Sequence, residues 1–200
     1  TNLNCLNGVL PNQDKLIQLS LYKQLIEAKF NKNIPYVSGG SSVTIPLIYK
    51  RILPQGITHF RVGETLFFGN NLYDNTQIEG METGLFKLYA EIIELIEKPL
   101  IPSGEIGTNV AGEVKEFDES DYGKTTYRAI LDLGLLDIKP DNIKPVDKSI
   151  NFFGASSDMI VIDLGDNDKN YQVGDLIEFD INYMGALSVL NSYYIAKKVV

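Results

Sequence analysis

The chain has 200 residues, 44% of them apolar and 22% charged, which is the balance of a folded globular protein. Its formal charge of −8 argues against nucleic-acid or anionic-membrane partners, because both require clustered Lys and Arg. A single Cys and a single His exclude an internal disulfide framework and the usual zinc ligand sets, so no metal site is expected. With no apolar run of membrane-spanning length and no secretory signal, the sequence predicts a cytoplasmic protein that binds a small ligand or another protein.

The first 80 residues alternate between strand-like and helix-like patterns. A helix follows Asn12, which is a favourable N-cap, and Asn31 to Asn33 end it. One apolar face at helical spacing is expected to pack inward, formed by Leu16, Leu19, Tyr22, Ile26 and Phe30. Strands are predicted at 1–6, 34–37 and 57–62, with a short helix at 45–52. This repeated βα order predicts a parallel sheet with helical crossovers.

Two turns follow neighbouring predicted strands. The first is the stretch Ser38-Gly39-Gly40-Ser41-Ser42, and the second begins at Gly63. Parallel strands carry such turns to the same carboxyl edge of the sheet, where bare backbone N–H groups and hydroxyls suit an anion such as phosphate. The stretch is not a P-loop, because no Gly-Lys-Ser/Thr follows it. Ordinary turn duty for these Gly and Ser residues remains the alternative.

After residue 80 the pattern changes to an all-β module. The stretch "FKLYAEIIELIEKP" fits either a helix or a strand, and its pattern alone favours a helix. Further strands, separated by turn signals, are predicted at 126–133, 150–154, 159–163, 176–181 and 192–199. We therefore expect two domains, residues 1–80 and residues 81–200.

Several stretches in order along the chain carry a resemblance to a known family. They include "VSGGSSVTIPLI", "GITHFRVGETLFFG", "PSGEIG", "GASSDMIVIDLGD" and "YQVGDLIEFDINYMGAL". Together they resemble the carboxyl-terminal part of the PLP-dependent amino-acid racemases related to ornithine and alanine racemase. The resemblance implies the last strands of a (β/α)8 TIM-like barrel followed by a β-barrel-like domain, an α/β plus all-β fold. It also implies a strand, not a helix, around Leu88.

The resemblance implies a site for pyridoxal 5′-phosphate (PLP) at the barrel mouth. The family's phosphate-binding serine corresponds to Ser42, the glycine whose N–H assists it to Gly63, and the tyrosine that covers the phosphate to Tyr194. The family arginine that faces the pyridine nitrogen corresponds to Arg61, for which an ion pair with Glu64 or Glu82 is the plain alternative. The other residues expected to line this phosphate site are Ser38, Gly39, Gly40 and Ser41.

Racemisation requires two acid/base groups, one on each side of the substrate Cα. The lysine that holds PLP in family members has no counterpart in this chain. The second acid/base is a tyrosine in alanine racemases, and Leu135 stands in the matching stretch. The remaining candidates are Asp137 and Asp158, with turn or cap duty as the alternative for both. His59 is expected to be a core histidine.

The favoured hypothesis is the carboxyl-terminal portion of a PLP-dependent racemase that interconverts the L- and D-forms of a small amino acid such as ornithine or alanine. Such a portion is expected to be inactive alone, with a homodimeric partner or the missing barrel half completing it. A non-catalytic remnant that binds a partner is one alternative. A PLP enzyme of the same fold with decarboxylase or aldolase chemistry is another.

Overall fold

The computed structural model describes residues 8–108, 112, 114 and 116–200. The chain forms two compact units, Thr1–Leu85 and Phe86–Val200. The predicted strand at 1–6 lies outside the described residues. No helix among the described residues is both long and apolar enough to cross a membrane.

Helix α1, Gln13–Phe30, has the ends that the sequence predicts. The Asn12 side chain accepts a hydrogen bond from Lys15 N at 3.0 Å, and Asn31 closes the helix in the left-handed conformation. Its expected inward face is only partly correct. Leu16 is fully buried and Leu19 packs beside it, whereas Tyr22, Ile26 and Phe30 are exposed.

Strands β1, Ser38–Ser41, and β2, His59–Arg61, form a parallel pair. The strand predicted at 34–37 is therefore displaced, because the Gly/Ser stretch itself is extended and pairs with β2. Gly39 allows this: a Cβ there would lie 2.6 Å from Ile57 Cγ2. Gly39 lets the strand lie directly against the side chains of Ile57 and Phe60.

Two short helices follow these strands, α2 at Ile45–Tyr49 and α3 at Glu64–Phe68. The order α1, β1, α2, β2, α3 confirms the predicted alternation of the first unit. Its main core is small, with four buried residues and three that pack against them: Leu16, Val37, Leu47 and Ile57, then Leu19, Leu53 and Phe60.

The second unit is a six-stranded antiparallel sheet in the order β5-β8-β3-β4-β7-β6, curved into a nearly closed barrel. Its strands are β3 Lys87–Pro99, β4 Thr125–Leu131, β5 Ile143–Pro145, β6 Asn151–Ala155, β7 Ile160–Asp163 and β8 Leu176–Ile181. The segment around Leu88 is a strand, as the resemblance implied and against the helix pattern. Alternate residues of β3 point inward, with Leu88, Ala90 and Ile92 buried.

The strand predicted at 192–199 is wrong. Helix α4, Tyr183–Asn191, ends the regular structure, and residues 192–200 form neither helix nor strand. The Asn182 side chain caps α4 by accepting from Gly185 N at 2.8 Å. Gly185 packs closely, since a Cβ there would lie 2.8 Å from Asn142 O. Asn182 and Gly185 are sequence signals for a helix here. They were overlooked because the residues that follow, 192–199, have a strand-like pattern.

Candidate functional site

The two turns that the sequence singled out meet in the first unit. Ser42 follows β1, and its Oγ accepts hydrogen bonds from Gly63 N and Thr65 N, both at 3.2 Å. Ser42 is almost completely buried, with 3% of its surface exposed. The parallel pairing of β1 and β2 thus brings Ser42 and Gly63 together at the carboxyl edge, as predicted.

This arrangement leaves the Ser42 hydroxyl as a donor. A serine oxygen has two lone pairs, and the amides of Gly63 and Thr65 use both. The O–H proton therefore has to point to a further acceptor. Thr65 is a residue that the sequence analysis missed, although its place two residues after Gly63 at the start of α3 was a usable signal.

Gly63 has open space beside it. A Cβ built on Gly63 would meet no atom within 4 Å. Packing in this chain therefore does not require a glycine there. An anion that approaches the backbone closely would require one.

Gly39 and Gly40 play a different part. Both are buried, Gly40 has a φ of 117°, and Gly39 O accepts from Thr44 Oγ1 at 2.8 Å. These contacts hold the turn that precedes Ser42. The two glycines support the site through its backbone, and Ser41 lies between them and Ser42, opposite Arg61 in the strand register.

Arg61 lies on the exposed face of β2. Its Nη1 donates to Ser38 Oγ at 3.0 Å, which ties the two strands together on that face. His59 shares this face because residues two apart on a strand point the same way. His59 is exposed, so its expected place in the core is wrong. Phe60, between them, is the side chain that faces the core.

The remaining cofactor candidate, Tyr194, belongs to the second unit. It follows α4, and 95% of its side chain is exposed. Its predicted role over the phosphate stays a prediction.

Asp137 and Asp158 lie in two loops that touch each other. The loop after β4 meets the β6–β7 turn through the hydrogen bond from Leu136 N to Ser157 O at 2.9 Å. Asp137 Oδ2 accepts from Gly134 N at 3.3 Å, which is a turn contact. Asp158 is exposed, and its Oδ2 accepts from Ser157 Oγ at 2.6 Å. The structure thus brings both carboxylates to one end of the second unit.

A polar cluster elsewhere in the second unit centres on Asp147, whose side chain is 12% exposed. Asp147 accepts from Tyr171 Oη at 2.8 Å, from Ser149 Oγ at 2.7 Å and from Lys169 Nζ at 2.8 Å. Burial acts to raise the pKa of Asp147, but these donors together hold it well below its ordinary value. Burial and the Asp147 carboxylate raise the pKa of Tyr171 to about 12. The cluster fixes two loops and has no role in the predicted site.

No group of three or more His, Cys, Asp or Glu side chains within the described part of the chain is placed to hold a metal ion. The groups that lie at Ser42 and along the exposed face of the β1–β2 pair include hydroxyls, backbone amides and the Arg61 guanidinium. These groups donate hydrogen bonds, and they fit an anion.

No protein-family profile matches the chain. An ornithine racemase from Acetoanaerobium sticklandii is 38% identical over 199 residues, which are 100% of this chain and 56% of that protein. A lysine racemase from Thermotoga maritima is 34% identical over 197 residues, 98% of this chain and 54% of that protein. The chain thus spans about half the length of the curated relatives it matches.

The crystal structure of alanine racemase from E. faecalis is similar in fold, with a TM-score of 0.51 at 14% identity over 85% of this chain and 46% of that one. This likeness confirms the fold class of a partial TIM-like barrel followed by a β-barrel-like domain. Over its whole length the chain is therefore similar to the carboxyl-terminal part of ornithine and lysine racemase.

Proposed function

We propose that this chain is the part of a PLP-dependent amino-acid racemase that holds the cofactor phosphate and supplies the β-domain. The observation that carries the proposal is the Ser42 hydroxyl, which two backbone amides orient so that its proton is left to donate. The relatives act on ornithine and lysine by their names, so we propose a diamino acid as the substrate of the complete enzyme.

The residues of the first unit fit the phosphate group of PLP. Ser42 donates its hydroxyl proton to a phosphate oxygen, and the open space at Gly63 lets that oxygen approach. Ser41, the last residue of β1, adds a hydroxyl at the same edge, and Ser38, the first residue of that strand, holds the Arg61 side chain. Tyr194 is kept as a further candidate for the phosphate on the resemblance alone. A hydrogen bond from a hydroxyl to a charged phosphate oxygen is stronger than one between two neutral groups.

Arg61 sets the electronic character of the cofactor ring in this proposal. PLP, when bound, withdraws electrons from the amino acid and makes its Cα–H acidic. A guanidinium can only donate hydrogen bonds and stays charged, so Arg61 keeps a ring nitrogen that faces it unprotonated. Its hydrogen bond to Ser38 holds the guanidinium at the face of β2.

One of the two aspartates is proposed to move the second proton at the substrate Cα. Asp158 is the stronger candidate, because it is exposed and only its Oδ2 is engaged, by Ser157. Asp137 uses a carboxylate oxygen to cap its own turn at Gly134. A carboxylate held by one hydroxyl can still accept and return a proton.

The chain is proposed to act only when another chain completes its barrel. Helix α1 carries exposed apolar residues on two of its sides, which is the pattern of a helix that packs between neighbours. They are Ile17, Leu21 and Leu25 on one side and Tyr22, Ile26 and Phe30 on the other. We propose the amino-terminal barrel half as the cover, with a homodimer of the complete unit in the cytoplasm.

Titration of PLP tests this function. The chain is titrated alone and together with the remaining, amino-terminal part of the A. sticklandii ornithine racemase, and the visible absorbance of PLP is followed. We expect the absorbance to change only in the mixture, and racemisation of ornithine to appear there. Ser42→Ala should weaken PLP binding roughly tenfold or more, since it removes a hydrogen bond to a charged group.

Ser103→Ala is the matched control, because Ser103 is exposed and lies in the other unit. Equal PLP affinity in the Ser42→Ala and Ser103→Ala mixtures would remove Ser42 from the site. Absence of any absorbance change in the mixture would remove the cofactor from the proposal.

A further inference from the structure

Thr65 donates two hydrogen bonds to other segments of the first unit, and only one of them has entered the site so far. Its backbone N–H donates to Ser42 Oγ at 3.2 Å. Its side-chain hydroxyl donates to the backbone carbonyl oxygen of Asn70 at 2.9 Å. Thr65 is only 1% exposed, so this hydroxyl is not offered to a ligand at the surface. Any contribution of the Thr65 side chain to anion binding has to act through α3 and Ser42.

Helix α3 depends on contacts with other segments for its position. It has five residues, and a helix of that length is not stable by itself. It begins after Gly63, which has no side chain that could cap it. Ser42 takes the place of the capping side chain, because its Oγ accepts from Gly63 N and Thr65 N. The direction of the Ser42 hydroxyl therefore depends on where α3 lies.

The 70–77 segment, which follows α3, is held by its own hydrogen bonds. Its two ends are joined, since Asn70 and Gln77 form an antiparallel bridge. The Tyr73 hydroxyl donates to Pro11 O at 2.9 Å, which fastens the segment to the chain just before α1. Further hydrogen bonds within the segment join Asn71, Asp74, Asn75 and Thr76. Asn70 is thus held in place by contacts that lie outside α3.

We propose that Thr65 is a positioning residue of the anion site, whose hydroxyl fastens α3 to the 70–77 segment. With α3 fixed, the amides of Gly63 and Thr65 stay in place at Ser42 Oγ, and the Ser42 proton keeps its direction towards the anion. This inference rests on the proposed function, because it requires an anion at Ser42. The Thr65 side chain lies behind the site and does not touch the anion.

Two substitutions at Thr65 separate its hydroxyl from its volume. Thr65→Val keeps the shape of the side chain and removes the hydroxyl, so Asn70 O loses this donor. Thr65→Ser keeps the hydroxyl and removes a methyl group. Serine can donate the same hydrogen bond, so it should restore what valine loses.

Thr58→Val is the matched control in the same unit. Thr58 Oγ1 donates to Pro35 O at 3.2 Å and accepts from Val37 N at 3.0 Å, so this variant also loses hydrogen bonds of a threonine hydroxyl. These contacts lie ahead of β1 and β2, whereas Ser42 follows β1 at the other end of the strand pair. Thr58→Val should lower the stability of the unit without moving α3.

The first measurement uses the chain by itself, without an anion. Amide hydrogen exchange followed by NMR reports how firmly the N–H groups of Gly63 and Thr65 are held at Ser42 Oγ. Exchange of the α1 amides in the same variant corrects for any general loss of stability. After this correction we expect about tenfold faster exchange of both amides in Thr65→Val, and a change within about twofold in Thr65→Ser and Thr58→Val.

The second measurement is a PLP titration of the chain together with the amino-terminal part of the A. sticklandii ornithine racemase. Thr65→Val should weaken PLP binding roughly three- to tenfold, because the Ser42 hydroxyl is no longer held in one direction. Thr65→Ser and Thr58→Val should stay within about twofold of the wild type. Ser42→Ala is measured alongside as the variant of the proposed site itself.

Equal behaviour of Thr65→Val and Thr58→Val in either measurement would leave Thr65 a merely structural role and overturn the inference. A serine variant as weak as the valine variant would assign the effect to the lost methyl group and overturn it too. If PLP affinity falls in Ser42→Ala but not in Thr65→Val, the inference fails and the proposed function stands. If Ser42→Ala binds PLP like the wild type, or no mixture binds PLP, the proposed site fails and this inference with it.

Discussion

The two units of the chain differ in how completely they bury their apolar residues. Among the described residues, seventeen buried hydrophobic side chains lie in the second unit and six in the first. Over the part of the chain that the structure describes, six strands surround the core of the second unit, whereas the first unit has two strands and leaves apolar side chains of α1 exposed. We therefore expect the second unit to be the more stable of the two.

The proposed anion site lies in the unit with the smaller core. Ser42, Gly63 and Arg61 are all held by the two-stranded sheet. A sheet of two strands is marginal in isolation, and it needs a covering surface to become rigid. We therefore expect the proposed binding site to need a covering surface that stabilises the two-stranded sheet. The β-domain should need no such surface to stay folded.

Truncation of a buried aromatic side chain should strongly lower the stability of the second unit. Phe179 is fully buried on β8 and stacks on Phe152 with ring centroids 6.0 Å apart. Phe179→Ala should lower the free energy of unfolding by about 3–5 kcal/mol, since it removes a large side chain and leaves a cavity. Urea unfolding followed by circular dichroism measures the loss.

The matched variant for this test is Phe30→Ala on α1. Phe30 is 58% exposed, so we expect a change within about 0.5 kcal/mol. Equal losses for the two variants would mean that the exposed face of α1 is buried in solution.

Two leucines of the same helix sharpen the comparison within the first unit. Leu16 is fully buried in its small core, and Leu25 is 65% exposed. Leu16→Ala should cost about 2–5 kcal/mol of unfolding free energy, while Leu25→Ala should leave the isolated chain nearly unchanged. Hydrogen exchange of the α1 amides distinguishes the two variants.

The Leu25 variant has a second use. When the barrel-completing part is added, Leu25→Ala should weaken the complex although it does not weaken the chain. A complex of wild-type affinity would show that this side of α1 is not covered in the assembly.

The sequence predicted the fold where local signals agreed with the tertiary environment. Asn12 and Asn31 marked both ends of α1, and the limits of β8 were predicted to the residue. The spacing of apolar residues gave the wrong secondary structure where contacts with distant strands determine it. Leu88 fits a helix by spacing, but its cross-strand partner Phe179 makes it part of a sheet, and local spacing cannot reveal a partner 91 positions away.

The site was predictable in part for the same reason. Parallel strands had to bring Ser42 and Gly63 to one edge, and the structure shows the hydrogen bond between them. The direction of that bond was not predictable, because it depends on α3 beginning at Glu64 and offering the Thr65 amide. The core position expected for His59 was wrong because a three-residue strand gives too little alternation to assign its sides.

Substitutions at two glycines of the first unit should separate effects on stability from effects on binding. Gly39→Ala places a Cβ 2.6 Å from Ile57 Cγ2 and 2.8 Å from Phe60 Cε1, so overpacking should cost about 1–3 kcal/mol of unfolding free energy. Gly63→Ala meets no atom within 4 Å and should change stability by less than about 0.5 kcal/mol. Thermal unfolding measures both changes.

Binding should reverse the order of the two glycine variants. At Gly63 the added methyl group occupies the space that the anion needs, so the affinity of the completed assembly for PLP should fall roughly tenfold. Unchanged PLP affinity in Gly63→Ala would place the phosphate elsewhere.

The smallest expected effect concerns the loops of the second unit, whose stability should depend on pH through the Asp147 cluster. The pKa of Asp147 lies below its ordinary value, so its stabilisation is present above about pH 4 and is lost as the pH falls further. The pKa of Tyr171 is raised to about 12, so its stabilisation is complete below about pH 10 and is lost as the pH rises towards 12. Protonation of Asp147 at low pH and ionisation of Tyr171 at high pH both weaken the same hydrogen bond.

Tyr171→Phe removes that hydrogen bond and should cost about 1 kcal/mol of unfolding free energy at neutral pH. The variant should also lose the part of the decline between pH 10 and 12 that Tyr171 causes, and urea unfolding at several pH values measures this. Tyr122→Phe is the control, because Tyr122 is 85% exposed in the same unit. If the alkaline decline persists unchanged in Tyr171→Phe, another group causes it, and the Asp147 cluster does not fasten the β-domain loops in the way that the structure indicates.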